Sequence, residues 1–331
     1  MVVVFNVLVG HGGRMHVARR TDAVLLLVAL VWGSSYLAAK TATAALPVLA
    51  VLFARYALSA VACGALVAFR RRRRAWTRAE VRAGLLLGTT QAAVLVLETY
   101  GVAHTSAANA GLIISLTIVL TPLLDRTGGR LPGRFFLAAA CCVAAVGLLT
   151  VGTGFQAPRL GDGLMLAAAA VRAGHVALVG RLTAGRPVDP LNLTAVQTVV
   201  GAALFLPLAL GHLPELFHSS GATWMQLVYL ALFCSVFAFL AQTWAVQGTS
   251  ASRASLLLGT EPIWAVAVGI GVGGERLTMW AGLGAGLMVA GTYWGQAIER
   301  AHRTAVAPQA ASGAEDRRGP TGVPEPVRPA G

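Results

Sequence analysis

Charge is scarce in this chain. Only 12% of its 331 residues are Asp, Glu, Lys or Arg, about half of what a soluble domain carries. The hydrophobic residues, 56% of the total, gather in long uninterrupted runs. Together these features exclude a water-facing surface over most of the chain and point to lipid as its solvent. Cysteine is also sparse. Cys63, Cys141, Cys142 and Cys234 all fall in apolar runs and none forms a Cys-x-x-Cys pair, which excludes a disulfide framework and a cysteine-based zinc site. There is no His-x-x-x-His, no paired-Asp motif and no Ser–His dyad at helical spacing, so nothing predicts an enzyme, a metal centre or a cofactor.

Acidic residues are outnumbered, 13 against 26 Lys and Arg, for a formal net charge of +13. Such basicity can mark a nucleic-acid partner. Here the arginines sit in short loops between apolar runs, where a membrane protein keeps them on its cytoplasmic side, and no nucleic-acid partner is expected.

A backbone crossing lipid must satisfy its own hydrogen bonds, so runs of about 20 apolar residues read as helices. Ten spans are expected, at 22–41, 47–69, 81–103, 106–124, 134–152, 162–181, 190–210, 224–246, 251–272 and 277–297. With the N-terminus in the cytoplasm, the inner loops collect Arg14, Arg19, Arg20, the run Arg70 to Arg74, Arg126, Arg130, Arg134, Arg181, Arg186, Arg253 and Arg300. The outer loops keep only Lys40, Arg159 and Arg276. A miscounted helix would scramble that asymmetry, so it supports ten spans with both termini cytoplasmic. Trp76, Trp224, Trp280 and Trp294 lie near span ends as interfacial anchors. Residues 1–21 form a cytoplasmic N-terminal segment too short to span, with Met15 as an alternative start. Residues 303–331, rich in Pro, Gly and Ala, read as a disordered cytoplasmic tail.

The two halves are alike. Thr105-Ser106-Ala107 recurs as Thr249-Ser250-Ala251 in an ungapped match, with Ala110 on Ala254 and Leu112 on Leu256, and Asp22 at the start of span 1 corresponds to Asp162 at the start of span 6. The units are 22–152 and 162–298. Each holds five spans, an odd number, so the second enters from the opposite side. The expected fold is all-α integral membrane, ten transmembrane helices as two inverted five-helix repeats. Inverted repeats are a common plan of secondary transporters.

Val31-Trp32-Gly33-Ser34-Ser35-Tyr36, Arg55, the Thr105-Ser106-Ala107 junction, Glu261-Pro262 and Gly274-Glu275 together resemble the EamA-type transporters of the drug/metabolite transporter (DMT) superfamily. The resemblance implies a central cavity between the halves and efflux of metabolites or drugs. The first unit departs from the pattern: Ile118 stands where the second has Pro262, with a proline only later at Pro122. A matching break in spans 4 and 9 is therefore not expected.

An ionisable group at membrane depth costs at least about 2.5 kcal/mol at a helix centre, so it must face protein or water. At the helical rise, Arg172 and Glu261 each lie roughly 15 Å deep and can meet, while Arg55 and Glu98, roughly 12 and 8 Å below the outer surface, can form a second pair. His175 follows Arg172 on the same face, and Trp32 holds in the first unit the position of Arg172 in the second. The functional reading is a polar midplane cavity with an aromatic wall. In it Arg172 binds an anionic group and Glu261 binds a cation or exchanges a proton. Gln91, Gln242 and Trp244 are further lining candidates. The alternative is a set of structural ion pairs between helices. The pattern Gly269-Ile-Gly271-Val-Gly273-Gly274 ends a membrane span with no preceding strand, so it reads as helix packing and not as a dinucleotide site.

The expected function is a secondary active transporter in the plasma membrane that exports small molecules, with protons as a possible coupling ion. The alternative is a membrane receptor or lipid-interacting scaffold without transport.

Overall fold

The computed structural model describes residues 14–70, 75–105, 110, 113–125, 131–151, 160–271 and 279–316. Among them the chain forms helices and turns only. In chain order these are α1 (Arg14–Ala45), α2 (Val48–Phe69), α3 (Arg78–His104), α4 (Thr117–Leu124), α5 (Gly133–Val151) and α6 (Leu160–Thr183). The helical stretches α7 (Pro190–Phe217) and α8 (Gly221–Gly248) follow, then α9 (Ala251–Leu258), α10 (Glu261–Gly271) and α11 (Met279–Asp316). Six of the described helices (α1, α2, α3, α6, α7 and α8) are long and apolar enough to cross a membrane. A helix with exposed leucines and valines along its outer face, such as Leu204, Leu206 and Leu208 in α7, is stable only where lipid covers it.

Local chemistry sets the helix ends. Thr77 and Glu80 form a reciprocal capping box at the start of α3, which satisfies two orphan N–H groups. Asp189 caps α7, with Pro190 at the first helical position. Ser250 caps α9. Two boundaries differ from the sequence reading. The first helix begins at Arg14 and not at residue 22. The last continues past Arg303 to Asp316, through the first part of the expected tail, while 317–331 lie outside the described residues.

The clearest departure lies in the ninth span, expected as one helix. It is interrupted at Gly259–Thr260, between α9 and α10. The expected fourth span carries the same interruption at Ser115–Leu116, despite having Ile118 in place of Pro262. In the register that lays Thr105 on Thr249, the two turns coincide residue for residue. So do their hydrogen bonds: Leu116 N–H to the Ile113 carbonyl matches Thr260 N–H to Leu257, and Val119 N–H to Leu116 matches Ile263 N–H to Thr260. Ile118 still donates to Ser115, a bond that Pro262 cannot make. Proline is thus not what breaks the helix. The two breaks pack on each other, with the Ile118 side chain occupying the space a Cβ on Gly259 would need.

The two halves interleave. α2 packs along α7, α5 along α11, and α3 along α6 and α7, with α8 against α1 and α2 in the corresponding places. α4 packs on α6 as α9 and α10 pack on α1. Exchanging each helix for its counterpart in the other half therefore preserves these contacts. The main core cluster runs through Leu25, Val28, Leu52, Tyr56, Leu87, Leu193 and Leu227.

α3 and α6 cross at glycines. A Cβ on Gly161 would lie 2.6 Å from the His104 carbonyl carbon and 2.7 Å from the Gly101 oxygen, contacts that only backbone movement could relieve. Gly161→Ala is expected to cost ~1–3 kcal/mol of overpacking. Gly163→Ala, with open space around its Cβ, is expected to be neutral to slightly stabilising, since alanine is the better helix former. Thermal melting of the two variants in detergent checks this, and equal melting temperatures would refute the close crossing.

Candidate functional site

A narrow, partly open cavity of about 30 Å³ lies between the halves. The first half contributes Trp32, Ser35, Tyr36, Arg55, Gln91, Val94, Leu95 and Glu98, and the second contributes Arg172, His175, Phe239, Gln242 and Glu261. Eight of the nine residues singled out from sequence therefore line one cavity. The ninth, Trp244, is half-buried and packs against the main core cluster instead.

Arg172 is the hub. Its Nη2 donates to Glu261 Oε1 at 2.6 Å and its Nη1 reaches Glu261 Oε2 at 3.4 Å and Glu98 Oε1 at 3.3 Å. The guanidinium carbon sits 4.4 Å from the centroid of the Trp32 ring, a cation–π contact strengthened by desolvation. Tyr36 donates to Glu261 Oε2 at 2.9 Å. The turn at Gly259–Thr260 places Glu261 in the first turn of α10, where a carboxylate meets the positive end of the helix dipole. The broken ninth span thus delivers the acid to the cavity with its charge partly compensated. Trp32 and Arg172, matching positions of the two units, stack on each other.

The sequence reading paired Arg55 with Glu98. The structure does not: Glu98 pairs with Arg172. Arg55 donates from Nε to Ser235 Oγ at 2.7 Å and from Nη2 to the Cys234 carbonyl at 3.2 Å. That carbonyl also accepts from Trp32 Nε1 at 2.9 Å. Residues 232–237 of α8 form a π-turn, and Ser235 Oγ donates across it to the Leu230 carbonyl. π-Turns inside α-helices occur preferentially at functional sites. His175 shares a 2.8 Å hydrogen bond with Thr90 Oγ1. Several contributors escaped the candidate set, Tyr36 and Ser235 among them. Tyr36 follows Trp32 by one helical turn and shares its face, a signal that a wheel projection carries. Ser235 gave no such signal, because a π-turn has no simple sequence signature.

A second polar cluster gathers at the start of α9. Arg253 makes a bidentate pair with Asp22 at 2.6 and 2.7 Å, Ser252 donates to Asp125 through N–H and Oγ, and Ser250 donates to Glu299 at 2.7 Å. Arg253, read from sequence as a loop arginine, is buried. Thr105, at the matching junction of the first half, donates to Asp162, the counterpart of Asp22. Ser106, Ala107, Gly274 and Glu275 of the sequence motifs lie outside the described residues. Among the described residues no group of His, Cys, Asp and Glu is placed to hold a metal.

Apolar helices that need lipid, enclosing a charged cavity between two similar halves, define a multi-pass membrane protein of two repeated units. Known proteins agree. Residues 19–151 and 159–294 each match the EamA-like transporter family, and the chain belongs to that family. It is 26% identical over 269 residues to an uncharacterized transporter of Archaeoglobus fulgidus, covering 81% of this chain and 83% of that one. A protein of known crystal structure shares the fold, with a TM-score of 0.65 and 20% identity over 85% of this chain and 97% of the other.

Removing one member of a buried charge cluster leaves the others uncompensated, at a cost of ~3–5 kcal/mol. Arg172→Leu is expected to lose stability on this scale, and adding Glu98→Gln and Glu261→Gln to it is expected to restore most of the loss. Equilibrium unfolding of the single and triple variants in mixed micelles checks this. Equal stability of Arg172→Leu and wild type would mean that the cluster is hydrated and not electrostatically coupled.

Proposed function

We propose that the protein is a secondary active transporter of the plasma membrane. It exports small metabolites or drugs by alternating access, with proton coupling at Glu261 and with cavity contacts from Trp32, Arg55, Gln91, Glu98, Arg172, His175 and Gln242. Ten transmembrane helices, counting α4 and the α9–α10 pair as one span each, form two inverted units with both termini cytoplasmic. One observation carries this reading: the Arg172–Glu261 pair, bound to Trp32, Tyr36 and Glu98, joins the halves across a cavity at the paired helix breaks. A charged cavity at the interface of repeated halves is what rocking of one half against the other exposes to alternate sides. The cluster Asp22–Arg253, Ser252–Asp125 and Ser250–Glu299 closes the cytoplasmic end in this reading, and Thr105–Asp162 lies toward the outer end.

Proteoliposomes with an imposed pH gradient test this directly. Wild type is expected to drive uptake or release of at least one solute among amino acids, cationic dyes and nucleosides. Absence of protein-dependent flux across such a panel would overturn the transport reading. Glu261→Gln, compared at matched amounts of reconstituted protein, is expected to lose the pH-gradient dependence, since an amide cannot carry the proton. Undiminished coupling in that variant would remove Glu261 from the proton path.

A further inference from the structure

The cavity holds two guanidinium groups and two carboxylates, but they are not shared evenly. Arg172 takes both Glu261 and Glu98 and spends its face on Trp32. Arg55, 6% exposed and also lining the cavity, has neutral partners only: the hydroxyl of Ser235 and the carbonyl of Cys234. No carboxylate lies within 4 Å of it among the described residues, so its charge is hydrogen-bonded but not neutralised by contact. A buried guanidinium is a fork built for a carboxylate. Glu98 is the less committed acid, with one 3.3 Å contact to Arg172, whereas Glu261 is held by Arg172 and Tyr36 together.

We propose that Arg55 is the anion subsite of the cavity: the solute brings a carboxylate to the Arg55 guanidinium. The π-turn of α8, through Ser235 and the Cys234 carbonyl, is the positioning element that aims it. This assigns to Arg55 the role that position along the helix suggested for Arg172. The same carbonyl anchors Trp32, so the π-turn sets the anion subsite and the aromatic wall together. Whether Glu98 in turn receives an ammonium decides between a zwitterion and a plain organic acid, and the arms of the test separate them. The inference takes only the word solute from the transport reading. Binding without flux would keep the subsite and end that reading.

The test is ligand-induced stabilisation of the purified full chain in nanodiscs, using matched sets of probes. One set is 4-methylpentanoate, leucine and leucinamide. Others replace the side chain by methyl (propionate, alanine, alaninamide) and by benzyl (3-phenylpropionate, phenylalanine, phenylalaninamide). In at least one set the carboxylate-bearing members are expected to raise the melting temperature and the amide is not. A response to the amino acid but not the plain acid identifies a zwitterion site, and a response to both identifies an organic-acid site. Arg55→Gln is expected to abolish the response. Arg55→Lys is expected to restore part of it, since it returns the charge without the fork. Ser235→Ala is expected to lower the unliganded melting temperature, because Arg55 Nε–H loses its buried partner, and to weaken affinity on the order of tenfold, read as the ligand shift from the variant's own unliganded state. A response to the amides alone, a carboxylate response that survives in Arg55→Gln, or no response to any set overturns the proposal.

Discussion

A charge inside an apolar bundle must be answered by another, and in this protein one guanidinium answers two carboxylates. Arg172 on α6 is bound by Glu261 on α10 and Glu98 on α3, and its face lies on Trp32 of α1. Those four elements come from both halves. The desolvation cost of any one of these ions exceeds what a surface pair could return, so the cluster holds only while the halves stay in register. The glycine crossing of α3 and α6 serves the same end. It puts α3 and α6, the helices that carry Glu98 and Arg172, in backbone contact at Gly161.

The helix breaks show how the site is made from a repeated plan. Both turns share two hydrogen bonds in the same register, although one has proline after it and the other isoleucine. The conformation is therefore set by packing, with Ile118 seated against Gly259, and the proline accommodates a turn already present. What differs is the chemistry behind each turn. The residue after the break is Thr117 in the first half and Glu261 in the second. Thr117 turns its hydroxyl to the Ile114 carbonyl, while Glu261 faces the cavity. The same backbone thus serves as structure in one half and as a charged wall in the other.

Much of this was legible in the residues. Long apolar runs located the helices, because lipid leaves a backbone few other choices. The recurrence of Thr105-Ser106-Ala107 at Thr249 gave the register in which the breaks later coincide. Helix rise alone was enough to place Arg172 and Glu261 at a common depth. Partner choice was not legible. Arg55 and Glu98 had compatible depths and opposite charge, yet rotation of α2 and the widened turn in α8 give Arg55 a hydroxyl and a carbonyl instead. Depth along a helix is one coordinate, and pairing needs the azimuth as well, which only packing of all the helices supplies. The same limit hid the role of Arg253. Its place in a short basic loop follows the topology rule, but its side chain turns inward to Asp22.

The Asp22–Arg253 and Thr105–Asp162 contacts carry the comparison of the halves one step further. Asp22 and Asp162 occupy matching positions in α1 and α6, and each meets the junction that opens the broken helix of the other half. One contact is a bidentate ion pair and the other involves a hydroxyl. An ion pair withdrawn from water is costly to separate, because each charge must find a new partner or be rehydrated. The hydroxyl contact is a hydrogen bond to a carboxylate, worth about 1.5–3 kcal/mol net. Two junctions built on one plan therefore differ in chemistry, with an ion pair at one and a hydroxyl–carboxylate hydrogen bond at the other.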